Sequence, residues 1–155
     1  MSRGCVKKQQ KYLYYFVCFL RYNRYMEKIA ILERCIERAD NVWWKLQAKY
    51  PMLKRHKTPD ILLNGRLWRT AGLAWQEDKA LELGLKFFMF SPETRKTMYN
   101  VILPHELCHI ADFLVYGPSE LECGHGVRWA EMMHALGLPA DKFHQMNIAP
   151  AKTVL

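Results

Sequence analysis

Residues 105–109 read His-Glu-Leu-Cys-His, an H-E-x-x-H pattern that constrains the chain more than any other feature. Residues four apart share one face of a helix, so His105 and His109 present two imidazoles to a single ion only if this segment is helical. The flanking sequence agrees. Ser91-Pro92-Glu93 is a helix start, with Ser as the N-cap and Pro in the first turn. The helix is expected from about Pro92 through Val115, kinked or divided by Pro104 and ended by Gly117-Pro118. A further histidine, His125, follows a polar loop and sits between Gly124 and Gly126. Three imidazoles and one water make a four-coordinate catalytic zinc site with an open position, so His105, His109 and His125 are the candidate ligands. Glu106, next to the first ligand, can reach a water on the ion rather than the ion itself. There it can act as a general base, taking the water's proton as it attacks a carbonyl and passing it to the leaving amine.

Blander readings stand beside these. His105 and His109 can be ordinary hydrogen-bonded histidines, Glu106 a surface carboxylate and His125 a loop residue. Cys123, Glu120 and Glu122 lie close enough in sequence to ligate instead of, or with, His125. Cys108 occupies a variable position of the motif and reads as core filler. Asp112 reads either as a hydrogen-bond partner of the ligands or as a helix-face residue. Tyr116, Arg128 and His134 are the polar side chains expected nearest a substrate, each more structural than catalytic. Trp129 reads as packing that positions the His125 loop.

Upstream, Met26–Tyr50 follows the helical period. Ile29, Leu32, Ile36, Ala39, Trp43, Leu46 and Tyr50 fall within about a 100° arc. Arg34, Arg38, Lys45 and Lys49 form a basic stripe roughly opposite. A solvated helix face is its plain explanation and a nucleic-acid contact its sharper one. Trp44 leaves the apolar arc and can be exposed beside the stripe, whereas Trp43 and Trp75 read as core; Trp68 is a further candidate for base stacking. Pro51 ends the helix. Three short strands follow: Asp60–Leu63, Arg66–Gln76 with a bend or close packing at Gly72, and Lys79–Phe88. Asn64-Gly65 and Glu77-Asp78 are the turns between them. Val127–Leu136 is a last helix closed by Gly137, and 138–148 is irregular or a short strand. The pattern is an α+β domain: an N-terminal helix, a small antiparallel three-stranded sheet, the metal-binding helix and a following helix.

At 155 residues the chain suits one domain, and 50% apolar residues exclude a disordered or low-complexity chain. The net charge of +8 is concentrated early: residues 1–57 carry +10 and the rest −2. Anionic partners such as nucleic acid would therefore meet the first third. Five cysteines without a CxxC pair argue against a disulfide framework and for a reducing compartment, cytoplasmic or nucleoid- or nucleus-associated. Residues 12–20 form an apolar stretch after Lys7, Lys8 and Lys11, but no small-residue cleavage site follows. No run approaches the ~20 residues of a bilayer span. Residues 1–25 are thus expected to be a basic aromatic extension, packed or loosely attached, and 26–155 the domain proper, as a monomer.

From about Ile29 to Ile148 the chain resembles the SprT-like zinc metallopeptidases, which include bacterial SprT proteins and the Spartan proteases of DNA–protein crosslinks. The resemblance is carried by VILPHELCHI (101–110) and by GHGVRWAEMMHALGLPADKFHQMNI (124–148), where His125, Gly126 and Trp129 match the family's second block. TAGLAW (70–75) and LELGLKFF (81–88) look like its two strands before the metal helix. The resemblance implies a zincin-like minimal metalloprotease with Zn2+ on His105, His109 and His125 and Glu106 as catalytic base. It would cleave protein or peptide substrates, among them DNA-bound or crosslinked proteins, with single-stranded DNA as a partner. A catalytically inactive nucleic-acid-binding or adaptor protein on the same fold is the alternative, and a hydrolase of a non-peptide substrate a third. No cysteine follows Cys123 in this sequence, so a SprT-like domain without the cysteine-rich zinc ribbon of bacterial SprT proteins, and without the partner- and ubiquitin-binding tail of Spartan, is expected.

Overall fold

The computed structural model describes residues 3–118 and 124–141, with the backbone alone for residues 3–20 and 22. Helix α1 (Arg3–Lys49) runs without a break through Met26. Among its described side chains the first to enter the core is Ile31. Cys35, Ala39, Val42, Trp43 and Leu46 follow at helical spacing. This buried strip is rotated by about 50° from the expected arc, half a residue's turn. Ile36 is accordingly 46% exposed, while Ile31, Cys35 and Val42 are inside. Pro51 ends the helix as expected and opens a short 3-10 turn, Pro51–Arg55. Trp43 Nε1 donates to the His56 carbonyl (3.2 Å), and Gln47 Nε2 donates to those of Leu53 (3.2 Å) and His56 (3.1 Å), tying the turn back to α1.

Three strands follow: β1 (Asp60–Asn64), β2 (Gly72–Trp75) and β3 (Ala80–Gly84). Among the described residues they form one sheet in the order β1-β3-β2. The α+β class is as expected, but the sheet is mixed rather than antiparallel. β2 and β3 pair antiparallel across the tight turn near Glu77-Asp78, while β1 lies parallel to β3. Asn64-Gly65 does not close a hairpin. Instead the Asn64 side chain accepts from the Arg66 N–H (2.6 Å), turning the chain into residues 65–71, which carry it past β3 to the far edge. Glu82, at the middle of the sheet, accepts from Asn64 Nδ2 of β1 and from Trp75 Nε1 of β2 (3.2 Å), linking all three strands.

The third strand is also shorter than expected. It stops at Gly84, and Leu85–Phe90 is a helix, α2. Phe87 and Phe88 are adjacent and both buried, which a strand with alternating faces does not allow when one face is solvated. Helix α3 (Pro92–Thr97) starts as expected, with Ser91 Oγ accepting from the Thr94 N–H at 3.1 Å.

The run then passes through one π-helical turn, Met98–Ile102, into α4 (Leu103–Tyr116). Pro104 explains the turn. It lacks the N–H that would continue the ladder, and a wider turn is one way a helix absorbs the gap. In that register the Leu103 N–H bonds the Met98 carbonyl, and the Tyr99 carbonyl faces the missing donor of Pro104. Arg38 Nε of α1 supplies a donor to that carbonyl instead (3.4 Å). Gly117 ends α4, and α5 (Val127–Ala135) follows, closed near Gly137. The core is shared by α1, β3, α2, α4 and α5, with Trp43, Phe88, Leu107 and Trp129 deep within it. Of the last expected segment, 142–148 lies outside the described residues.

Candidate metal centre

Helix α4 carries His105, Glu106 and His109, all buried, and the loop before α5 brings His125 to them. The His105, His109 and His125 Nε2 atoms approach one another at 3.2, 3.1 and 3.0 Å. Three imidazole nitrogens meeting around one point is how a metal ligand set looks. An ion about 2.0–2.1 Å from each nitrogen, at tetrahedral angles, would separate them by about 3.3 Å. The donor set therefore fits a zinc ion, with a fourth position left for water or substrate. The three expected ligands are brought together as the spacing required. Glu120, Glu122 and Cys123, the alternative ligands, lie outside the described residues.

Each imidazole is held from behind. The Trp129 ring stacks on His109 (centroids 5.4 Å, 18° between planes). It meets His105 and His125 edge-on at 4.8 and 4.6 Å. Its Nε1 donates to the His105 carbonyl at 3.4 Å. Trp129 is 1% exposed, so the packing role expected of it is what the structure shows. Gly124 takes φ +64°, a left-handed conformation that side chains disfavour, and an added Cβ there would lie 3.3 Å from His109 Nδ1. Gln76, just after β2, donates from Nε2 to the His109 carbonyl (3.1 Å), a contact that no sequence signal marked. Burial, with His125 adding to it, pushes His109 down to about 4, so its ring is neutral and its lone pair available near pH 7.

Glu106 lies against the sheet. Gly72 of β2 faces it so closely that a Cβ at residue 72 would stand 2.7 Å from Glu106 Cγ and 2.8 Å from Oε1. Burial raises the Glu106 carboxyl from 4.5 to about 8. A raised pKa near neutrality suits a group that must both take and give a proton. A nearby cation would pull the value back down.

Asp112, one turn after His109, is 4% exposed. Its Oδ1 is 3.1 Å from Arg128 Nε, but at an angle that makes an ion pair without a hydrogen bond. Burial raises the Asp112 carboxyl and Arg128 partly offsets this. The Arg128 guanidinium also lies over the Tyr116 ring (5.0 Å). Asp112, Tyr116 and Arg128 thus clamp α5 to α4, three residues beyond His125. His134 is exposed on α5 and takes no part. Cys108 is buried in the core with its thiol pushed up by burial, as its filler role requires.

The basic stripe divides. Arg34 and Arg38 reach across to the π turn, Arg34 with its guanidinium 5.0 Å over the Tyr99 ring and Arg38 at the Tyr99 carbonyl. Lys45 and Lys49 are exposed. So the stripe flanks the packed face of α1 rather than opposing it. Trp44 and Trp68 are each 69% exposed. Trp75, expected in the core, is instead 48% exposed on the edge strand, its Nε1 held by Glu82.

The family model described as SprT-like matches residues 32–149. "Protein SprT" of Erwinia tasmaniensis is 30% identical over 110 residues, covering 70% of this chain and 61% of that protein. "Protein SprT" of Actinobacillus succinogenes is 28% identical over 79 residues, covering 50% of this chain and 43% of its own length. The chain therefore spans between two fifths and three fifths of the length of these curated relatives. No solved structure matches.

Proposed function

Because the chain belongs to the SprT-like family, we propose that it is a zinc-dependent endopeptidase acting on proteins, DNA-bound proteins among them. The observation that carries this reading is the convergence of His105, His109 and His125 on one point with Glu106 beside them. When bound, zinc would supply Lewis acidity to the scissile carbonyl and to the attacking water. Glu106 accepts the water's proton on its carboxylate and delivers it to the leaving amine. Strand β2 pairs with β3 on one side. Its other edge offers backbone groups beside Glu106, where an extended substrate segment can add as a strand. Residues 26–155 would form the peptidase unit, working as a monomer inside the cell, with nucleic acid met by Arg34, Arg38, Lys45 and Lys49.

Anomalous scattering on either side of the zinc edge, on protein purified without chelator, tests the ligand set. Zinc held by cysteines instead would refute it. Glu106→Gln keeps the shape and loses the proton acceptor. Zinc content should stay near that of the wild type while turnover of a casein-like substrate falls by at least about 10²-fold. Equal turnover at equal zinc removes Glu106 from the chemistry. Wild-type protein that binds zinc yet cleaves nothing would point to the adaptor role instead.

A further inference from the structure

A second, unassigned feature lies on the other side of the metal helix's own run. Between α1 and the α3–π segment is a cavity of about 360 Å3, near the lower end of ligand-pocket sizes. Arg34, Arg38, Arg95, Lys96, Tyr99 and Asn100 line it, and no carboxylate does. Four cations meet here against one directly paired carboxylate, with Glu33 and Glu37 lining the neighbouring cavity beside Arg34 and Arg38, and like charges one helical turn apart repel. Glu27 relieves only Arg95, through an ion pair at 3.0 Å. Among the described residues no carboxylate lies within ion-pair distance of Arg34, Arg38 or Lys96.

The arginines are also held in place. Arg34 is stacked on the Tyr99 ring, Arg38 is anchored through Nε to the Tyr99 carbonyl, and Arg95 is anchored through Nε to the Phe88 carbonyl (2.6 Å). For Arg38, Nε carries the anchor, which leaves both terminal nitrogens for a ligand; for Arg95, Nε is anchored and Nη2 pairs with Glu27, which leaves Nη1. A pre-positioned fork of this kind loses little freedom when it grips an oxyanion.

We propose that this pocket seats one phosphate of a nucleic-acid backbone. The charge beyond the pocket favours a polyanion over a lone anion. Arg34, Arg38, Lys45 and Lys49 fall within about 60° on α1 and span about 22 Å of it, so the pocket is one end of a track. This deepens the reading of the protein as one that works on DNA-bound proteins, and it adds Arg95 and Lys96, which the sequence did not single out. The pocket and the histidines sit on one continuous helical run. Tyr99 and His105 are six residues apart, about 9 Å along the axis at helical rise. A strand held here would therefore pass within a short axial distance of the histidines, though on a different face of the run.

The test uses the full chain and a fluorescein-labelled 20-nucleotide oligo-dT, followed by anisotropy across a salt series. The double variant R34Q/K96Q should bind at least tenfold more weakly at 50 mM salt. Its slope of log affinity against log salt should fall by about 0.7, the value for one phosphate contact on a single strand. Lys96 is exposed, so K96Q alone should keep the wild-type melting temperature and lose about half of that slope change, while K96R should recover it. Equal affinity and slope in K96Q, R34Q/K96Q and wild type would overturn the pocket. So would losses seen only with K45Q/K49Q. Competition by inorganic phosphate without any oligonucleotide binding would overturn the polyanion. Casein turnover by the wild type without DNA is measured separately. Failure there strikes the peptidase reading and leaves the pocket standing.

Discussion

On the proposed peptidase reading, replacing Gly72 with alanine should lower turnover while leaving zinc affinity in place. The added Cβ would sit 2.7 Å from Glu106 Cγ, 2.8 Å from Oε1 and 3.0 Å from Cδ. Carbon atoms in contact prefer about 3.5 Å or more, so something must yield by roughly 0.8 Å. Glu106 is 8% exposed and its side chain faces Gly72 directly, so either the carboxylate or the edge strand must shift. Overpacking of this size costs about 1–3 kcal/mol, or about 2–4 °C of melting temperature per kcal/mol in a domain this long. Displacing a catalytic group by about 1 Å costs on the order of 10²-fold in rate. The expected result is turnover down about 10–100-fold, zinc affinity within about threefold of wild type, and a melting temperature lower by several degrees. Steady-state cleavage of a quenched peptide at matched zinc occupancy, with calorimetry, measures all three. Turnover within twofold of wild type would refute the reasoning. If the melting point falls but turnover holds, the strand has moved instead and Gly72 does not set the position of Glu106.

Arg128→Met should weaken zinc binding by about 10–100-fold, because it leaves Asp112 as a buried, unpaired carboxylate and loosens α5 beside His125. Competition with a chelating dye reads the affinity, and an unchanged value would make the ion pair irrelevant to the ligand set. The metal-free protein should lose stability as pH rises. Glu106 keeps its proton in the folded state up to about 8 but gives it up near 4.5 when unfolded. Its contribution is therefore complete below about 4.5 and lost as pH rises through about 8. Melting curves of wild type and Glu106→Gln, both chelator-treated, should diverge from pH 5 to 9, with the wild type falling relative to the variant; parallel curves would refute this.

The candidate metal site is legible in the sequence because its geometry is local. His105 and His109 need only a helix, and the Ser91-Pro92 start guarantees one. Even His125 announced itself through its flanking glycines, of which Gly124 does take a left-handed conformation against His109. The sheet was less legible because strand order is decided at a distance. Asn64-Gly65 looks like a hairpin turn, yet whether β1 pairs with β2 or β3 depends on what the loop 65–71 can cross. Local pattern also placed Phe87 and Phe88 in a strand, although burying both neighbours requires a helix. On α1, the buried strip is rotated by about 50° from the apolar arc. Cys35 therefore enters the core while Ile36 stays 46% exposed. Asp112 fits neither expected role: it is buried and ion-paired to Arg128, which approaches from another helix. Gln76 carried no signal, because its role depends on where the far end of α4 lies.

The π turn at Met98–Ile102 sets the phase of the molecule. A helix advances about 100° per residue, so one extra residue in a single turn rotates everything after it by about that amount relative to everything before. Upstream of the turn, Arg95, Lys96 and Tyr99 look toward α1. Downstream, His105 and His109 look toward His125 and Trp129. A regular helix of the same sequence could satisfy one set of neighbours but would swing the other by more than a quarter turn. Pro104, conventionally a helix defect, thus works as a timing element. Deleting one residue from 98–102 would leave every ligand in the chain and aim them past one another.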